Sequence, residues 1–313
     1  EELRCTNDKG YQLISTTVTV SRHGVTVDYG TLDDQPQGEV VISTNAYDPT
    51  DKDGSVMVGD VAIADKVTYS GLALGGQYKL VTTVVDAETG EAITVDGAPV
   101  SASSTFVAES TAGYAVVEMQ VPTYQLGGKT ITVFEELYQV TNGSDTLLAE
   151  HKDKDDVDQQ LDVIAPEIGT TATDAVDGDK NVVTDGETTV VDTVSYANLI
   201  PGKEYTLTGT LMVKGYDEDG NVTEEALTDA GGNPVTSETT FVPETANGTV
   251  DVTFTFDSLG MKEGTEIVAF ESLLLDGHEL AVHTDISDYG QTVTVVTPEI
   301  GTTAKDGADG DKN

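Results

Sequence analysis

An all-β chain built of tandem domains is what this sequence predicts, and three observations predict it. Apolar and polar residues alternate in short runs. Those runs are rich in Val, Thr and Tyr and stop at Gly, Asp or Asn. A long motif also returns: PEIGTTATDAVDGDK at 166–180 reappears as PEIGTTAKDGADGDK at 298–312, 132 positions on. That period suits one β-domain, and self-similarity at a fixed spacing divides the chain before any single strand does.

The elements follow in order. Residues 1–34 match neither repeat; TTVTVSRHGVTVDYG reads as the last hairpin of a preceding domain or as lead-in strands. A first domain spans 35–163, with strands expected at ADKVTYSGL, YKLVTTVVDAETG, YAVVEMQVP and ITVFEELYQV. A second spans 164–297 and is a closer copy of the repeat. VVISTNAYD aligns with PEIGTTATD, ADKVTYSGLALGGQYKL with VDTVSYANLIPGKEYTL, STFVAES with TTFVPET, VFEEL with AFESL, and HKDKDDVDQQ with HTDISDYGQT. Residues 298–313 open a third, truncated copy. The chain begins and ends in mid-pattern, as a piece of a longer protein would. Only a few residues, with a proline among them, join one domain to the next, so hinge freedom is small and a semi-rigid rod is expected. No segment keeps a helical period; TEEALTD (223–229) is the one place where a short helix fits.

Composition excludes several function classes. The 313 residues carry 56 acidic and 15 basic side chains, a formal net charge of −41. Nucleic acid and anionic membrane surfaces are therefore disfavoured as partners. A hydrophobic content of 37% argues against wholesale disorder. No run is long enough for a membrane span. The single cysteine, Cys5, excludes an intrachain disulfide, so an extracellular version of this chain must be stabilised otherwise; the residue reads as a core thiol. Arg22 and His23 belong to no visible constellation. DKDG (51–54), DGDK (177–180) and DEDG (217–220) lack the full twelve-residue EF-hand spacing and read as acidic turns, so no metal is expected. Asn142, Asn221 and Asn247 lie in N-x-S/T sequons.

The chemistry-bearing residues recur in both copies. Near each start the shared pattern is Ile-x-Thr-x-Ala-x-Asp, which aligns Thr44 with Thr170; Thr171 aligns with Asn45, which favours Thr170 as the reactive hydroxyl. Thr170 and Ala172 fall on one face of a strand. Near each end both copies read His-x-Asp-x-x-Asp-x-x-Gln, giving His151, Asp153, Asp156, Gln159 and His283, Asp285, Asp288, Gln291. A threonine hydroxyl is a weak nucleophile. It needs a base within reach, which histidine supplies and a carboxylate orients. The target is an unreactive amide that leaves as ammonia. Two carboxyls sharing a proton could polarise it, and Asp65 with Glu135, and Asp192 with Glu271, fit that role. Both glutamates follow Phe in an apolar strand. A buried carboxyl there is tolerable when it is paired and kept neutral.

These residues resemble the T-Q ester-bond domain family, also described as VaFE repeats, of Gram-positive surface adhesins. The resemblance covers 35–297, with a stub at 298–313. It rests on IGTTATD, DTVSYANLIPGKEYTLTGTLM, VAFESL and HTDISDYGQT in the second copy; the first departs with VFEEL for VAFES and Gln-Gln for Gln-Thr. It implies immunoglobulin-like β-sandwich domains, each closed by a spontaneous ester between a Thr on the first strand and a Gln on the last, without cofactor. By resemblance the bonds are Thr44–Gln159 and Thr170–Gln291, with His151 and His283 as bases and Asp65, Glu135, Asp192 and Glu271 as the proton-sharing acids. Gln160 aligns with Thr292 and is the poorer partner. The implied role is a monomeric structural stalk of a wall-anchored bacterial surface adhesin. It would contact neighbouring repeats of its own chain, and host surface or matrix molecules through a distal domain. Two other readings remain: a host ligand-binding module, which an aromatic content of 6% disfavours for glycans, and a Thr-His-Asp hydrolase, against which the acceptor is internal.

Overall fold

A computed structural model describes residues 39–298 and 301–302. The features expected over 1–34, including Cys5, Arg22 and His23, and nearly all of the third copy at 298–313, lie outside the described residues. The described chain is predominantly β and falls into two compact units whose main boundary lies between Ile164 and Ala165, with Met57–Gly59 grouped with the second.

In the first unit the strands are β1 (Val41–Tyr47), β2 (Ser55–Met57), β3 (Asp60–Ser70), β4 (Gln77–Asp86), β5 (Thr94–Val95), β6 (Ala98–Pro99), β7 (Ser101–Val107), β8 (Ala112–Pro122), β9 (Thr130–Thr141), β10 (Ser144–His151) and β11 (Gln160–Ile164). They form a three-stranded sheet, β1-β3-β8, and a larger one ordered β2-β11-β9-β4-β7 with β10 also on β9; β5 and β6 make a small hairpin. Alternation decides which face is buried. Ile42, Thr44 and Ala46 point inward from β1, and Val67 and Tyr69 from β3. Ile42, Val67, Tyr69 and Val117 from the small sheet share one core with Tyr78, Leu80 and Leu137 from the large one.

The second unit repeats this plan with β12 (Glu167–Asp174), β13 (Asn181–Val183), β14 (Glu187–Ala197), β15 (Tyr205–Tyr216), β16 (Val222–Ala226), β17 (Thr236–Phe241), β18 (Gly248–Asp257), β19 (Glu266–Leu275), β20 (His278–His283) and β21 (Thr292–Val296). Its sheets are β12-β14-β18 and β13-β21-β19-β15-β16, with β17 on β15 and β20 on β19. In each unit the first strand thus lies in the small sheet and the last in the large one.

The helix expected at 223–229 is instead the edge strand β16. Val222–Ala226 pairs antiparallel with Met212–Tyr216 across the turn that begins at Asp217, and the ladder outweighs a weak local helix preference. That turn is closed by its own side chains: the Asp217 carboxylate accepts the N–H groups of Asp219 and Asn221.

One irregularity of the large sheet positions the site. β9 pairs with β10 from Thr141 down to Glu135, then with β11 from Thr132 to Thr130. Between these ladders the chain leaves the edge at His151, makes a single 3-10 turn at Val157–Gln159, and rejoins at Gln160. β19 repeats this, pairing with β20 down to Glu271 and with β21 from Val268. A gap of two residues in the edge ladder thus opens beside each glutamate.

Candidate functional site

The gap is filled by side chains. In the first unit Gln159 is fully buried, and its amide nitrogen donates to the carbonyl of Val133, one of the two β9 residues without an edge partner. In the second, Gln291 Nε2 donates to Ala269 O at 2.6 Å and His283 O at 3.1 Å, while Ala269 N–H donates to Gln291 O at 3.0 Å. The carboxamide nitrogen is anchored, and the carboxamide oxygen is left buried without a partner in both units.

Glu135 lies opposite His151 in the β9–β10 ladder and Glu271 opposite His283 in the β19–β20 ladder, so strand register alone brings acid and base to one place. Each histidine is held from behind. His151 Nε2 lies 2.9 Å from Asp156 Oδ2, and His283 Nε2 lies 3.0 Å from Asp288 Oδ2. A carboxylate only accepts, so Nε2 carries a proton, and in a neutral ring this leaves the lone pair on Nδ1, the tautomer a base requires. His283 Nδ1 is buried without a partner. The same aspartates brace the turn before the glutamine: Asp156 Oδ1 accepts Asp158 N–H and Asp288 Oδ1 accepts Gly290 N–H. Sequence reading expected a carboxylate to orient the histidine without choosing one. The structure selects the second aspartate of His-x-Asp-x-x-Asp, while Asp153 and Asp285 cap the turn backbone.

From the small sheet come the threonine and the second acid. Thr44 and Thr170 are buried on β1 and β12; Asp65 and Asp192, on β3 and β14, are at most 1% exposed. Asp65 Oδ1 accepts the N–H of Asn45 at 3.1 Å. Asp192 stands close enough to Thr170 and Glu271 for both to bias its titration, although none of the three makes a hydrogen bond of good geometry. Two carboxylates cannot hydrogen-bond to each other until one holds a proton.

Electrostatics supply that proton. Burial raises Asp65 to about 6, against hydrogen bonds from Glu135 and Asn45 that pull the other way. Burial, then the charge of Asp65, raises Glu135 to about 9. The second unit repeats the pattern: burial raises Asp192 to about 6, and burial followed by the Asp192 charge raises Glu271 to about 9. Burial and the closeness of the two carboxyls thus favour a proton shared within each pair, with the glutamate raised further than the aspartate.

Buried polar atoms without hydrogen-bond partners are rare in proteins. Among the described residues such side-chain atoms are Thr44 Oγ1, Asp65 Oδ2, Glu135 Oε2 and Gln159 Oε1, then Thr170 Oγ1, both oxygens of Asp192 and of Glu271, Gln291 Oε1 and His283 Nδ1. All of them belong to the two five-residue sets.

Sequence reading missed three contributors. Thr82, opposite Glu135 on β4, donates its hydroxyl to Glu135 Oε1. Gly209 takes that place opposite Glu271. Lys180 donates to the carbonyls of Ala172 and Gly290. Each of these places differs between the copies, so an internal alignment could not mark them, and DGDK, which holds Lys180, reads from sequence alone as an acidic turn.

A family model described as T-Q ester bond containing domain matches this chain twice, over residues 40–163 and 166–295. No curated protein matches it. Among solved structures, a bacterial adhesin from Mobiluncus mulieris containing intramolecular disulfide, isopeptide and ester bond cross-links is similar in two crystal forms. Both share 14% identity and cover 83% of this chain; one alignment covers 98% of that chain with a TM-score of 0.36, the other 96% with 0.37. Red sea bream transglutaminase is also similar, at 14% identity over 84% of this chain and 32% of that one, with a TM-score of 0.29.

Proposed function

We propose, from the premise that this chain belongs to the T-Q ester bond containing domain family, that each unit is a self-closing immunoglobulin-like β-sandwich joined by an ester, Thr44–Gln159 in the first and Thr170–Gln291 in the second. The domains run from 35 to 163 and from 164 to 297. The family's chemistry is a single intramolecular event and not catalytic turnover. The observation that carries the assignment is the set of buried, unpartnered polar atoms, which coincides with the ten residues read from the sequence save His151.

The step balances without a co-reactant. The histidine Nδ1 takes the proton of the threonine Oγ as that oxygen bonds to the glutamine Cδ. The protonated glutamate donates a hydrogen bond to the carbonyl oxygen as it gains charge, and the ionised aspartate steadies the imidazolium. The C–N bond then breaks, the histidine returns its proton to the departing nitrogen, and ammonia leaves. An ester stands where a hydroxyl and a primary amide stood.

Such a bond joins the first strand, in one sheet, to the turn residue immediately before the last strand, in the other, and not to that strand itself as the sequence suggested. Force applied to the two ends of the domain would pass through it and bypass the hydrogen-bonded core. This favours a load-bearing stalk of a Gram-positive bacterial surface adhesin, extracellular and wall-attached, monomeric, with neighbouring repeats as its contacts and host molecules bound by a distal domain. Intact mass of the denatured chain tests the reading. Each ester expels one ammonia, so two bonds give a deficit of about 34 Da and one gives about 17 Da. The full calculated mass would overturn the proposal.

A further inference from the structure

Lys180 follows the loop after β12, and the fold directs its ammonium inward. Nζ donates to Ala172 O at 2.5 Å and to Gly290 O at 2.6 Å. The first carbonyl lies on the strand of Thr170, two residues on; the second belongs to the residue just before Gln291. The Gly290 carbonyl also accepts the Ala172 N–H at 2.9 Å, so strand and turn are clasped at one point. A side chain at 290 would crowd that clasp, because an added Cβ would stand 3.0 Å from Asp288 Oδ1 and 3.3 Å from Thr170 O. In a chain with far more acidic than basic residues, this half-buried ammonium holds two backbone carbonyls. Burial lowers its pKa, and the nearby charges of Asp192 and Asp288 oppose that.

The first domain lacks this device. Asp48 and Asp53 correspond to Asp174 and Asp179, which places Gly54 at the position of Lys180. There the carbonyl before the glutamine, Asp158 O, is met by the exposed side-chain amide of Asn45 at 3.3 Å. That is a neutral and longer bond where the second domain uses a charged and shorter one.

We infer that Lys180 is a positioning residue for ester closure in the second domain. By gripping the Ala172 and Gly290 carbonyls it sets the approach of the Thr170 hydroxyl to the Gln291 carboxamide, and the first domain, with Gly54 in that place, closes more slowly. The inference rests on the reading of Thr170–Gln291 as the linked pair. Its physical basis is that small misplacements of two reacting groups cost large factors in rate.

The test is pulse synthesis of the full chain in a cell-free system, quenched at intervals into acid denaturant, with the loss of ammonia read on proteolytic fragments of each domain. Lys180→Met is expected to slow closure of the second domain by about 10- to 100-fold and leave the first unchanged. Lys180→Arg, which still offers two donors, should recover most of that rate, and Gly54→Lys should speed the first domain. Unfolding midpoints in the Thr170→Ala background show whether Lys180→Met merely loosens the fold. Closure at the wild-type rate in Lys180→Met would overturn the inference, as would a slowing no larger than its loss of folded population. Absence of any mass deficit in the wild-type chain would instead remove the ester reading itself.

Discussion

In the first domain the buried glutamate is held by a threonine, and in the second the same place is a glycine. Thr82 faces Glu135 across β4 and β9 and donates to it; Gly209 faces Glu271 across β15 and β19 and cannot. The space is filled from the other sheet. A Cβ built at Gly209 would stand 2.4 Å from Phe254 Cζ and 2.5 Å from Glu271 Oε1. Phe254 pairs with Val190, two residues before Asp192; the matching residue of β8 is Met119, paired with Ile63, two residues before Asp65. One domain has Thr and Met at these two places, the other Gly and Phe. Both glutamates are nevertheless raised to about 9, with burial the leading cause and the partner aspartate next. The protonation pattern therefore belongs to the shared part of the site, the depth of the pocket and the second carboxyl, and tolerates different neighbours.

The largest effect should come from removing the bond itself. Thr170→Ala is expected to abolish the second ester and retain the first, and Thr44→Ala the reverse, each restoring about 17 Da. Closing a loop of this length constrains the unfolded chain by about 4–5 kcal/mol at most, so each variant domain should unfold at clearly lower denaturant. Glu271→Ala should leave the second domain folded and uncross-linked; an unchanged yield of ester would end the role given to that residue.

An uncross-linked background exposes the titration of the acids. In Thr170→Ala the folded state holds protons on Asp192 and Glu271 that the unfolded chain releases near ordinary carboxyl values. Folded pKa values raised to about 6 and about 9 mean that this contribution to stability is full below about pH 4 and is lost as pH rises through those two values. Denaturant midpoints should fall from about pH 4 to about pH 9, and the fall should be shallower in Thr170→Ala/Glu271→Gln. Equal slopes in the two would show that Glu271 is not held neutral. In the wild-type chain, ester formation should be fastest between about 6 and about 9, where the aspartate is ionised and the glutamate is not.

Packing gives the next effect. Gly209→Thr in the second domain would copy the first, but its new atoms meet Phe254. Overpacking of this kind costs about 1–3 kcal/mol. Gly209→Thr/Phe254→Met should recover most of it, and additive losses in the double variant would show that the two positions are not exchanging volume.

What was legible in the sequence was whatever the two copies share. A Phe-Glu step in an apolar strand pointed to inward-facing glutamates at 135 and 271, which are buried, and the paired His-x-Asp-x-x-Asp-x-x-Gln motifs pointed to the histidines and glutamines. The break in the edge ladder opposite Val133 and Ala269 could not be read, because it depends on which stretch of one strand each neighbour pairs with. Val222–Ala226 misled for a related reason: two glutamates and an alanine favour a helix locally, and only the partner strand Met212–Tyr216 reverses that. Thr82, Gly209 and Lys180 were hidden because they differ from copy to copy, and a residue's effect on a buried carboxyl is visible only once the carboxyl has been placed.

The smallest effect separates the two sites most finely. Thr82→Val keeps the shape of the side chain and removes the donor to Glu135. A neutral carboxyl loses one hydrogen bond, worth about 1 kcal/mol. Thr82 is among the influences that hold the pKa of Glu135 down, so without it the proton is held more tightly. The first ester should therefore still form at neutral pH, and its rate should persist to higher pH than in the wild type, as measured by the mass deficit of the first-domain fragment across a pH series. Gly209 leaves the second site without a hydroxyl in that place. If Thr82→Val instead prevented the first ester, the threonine would have to act on the reacting groups, and the two domains would reach the same bond by different machinery.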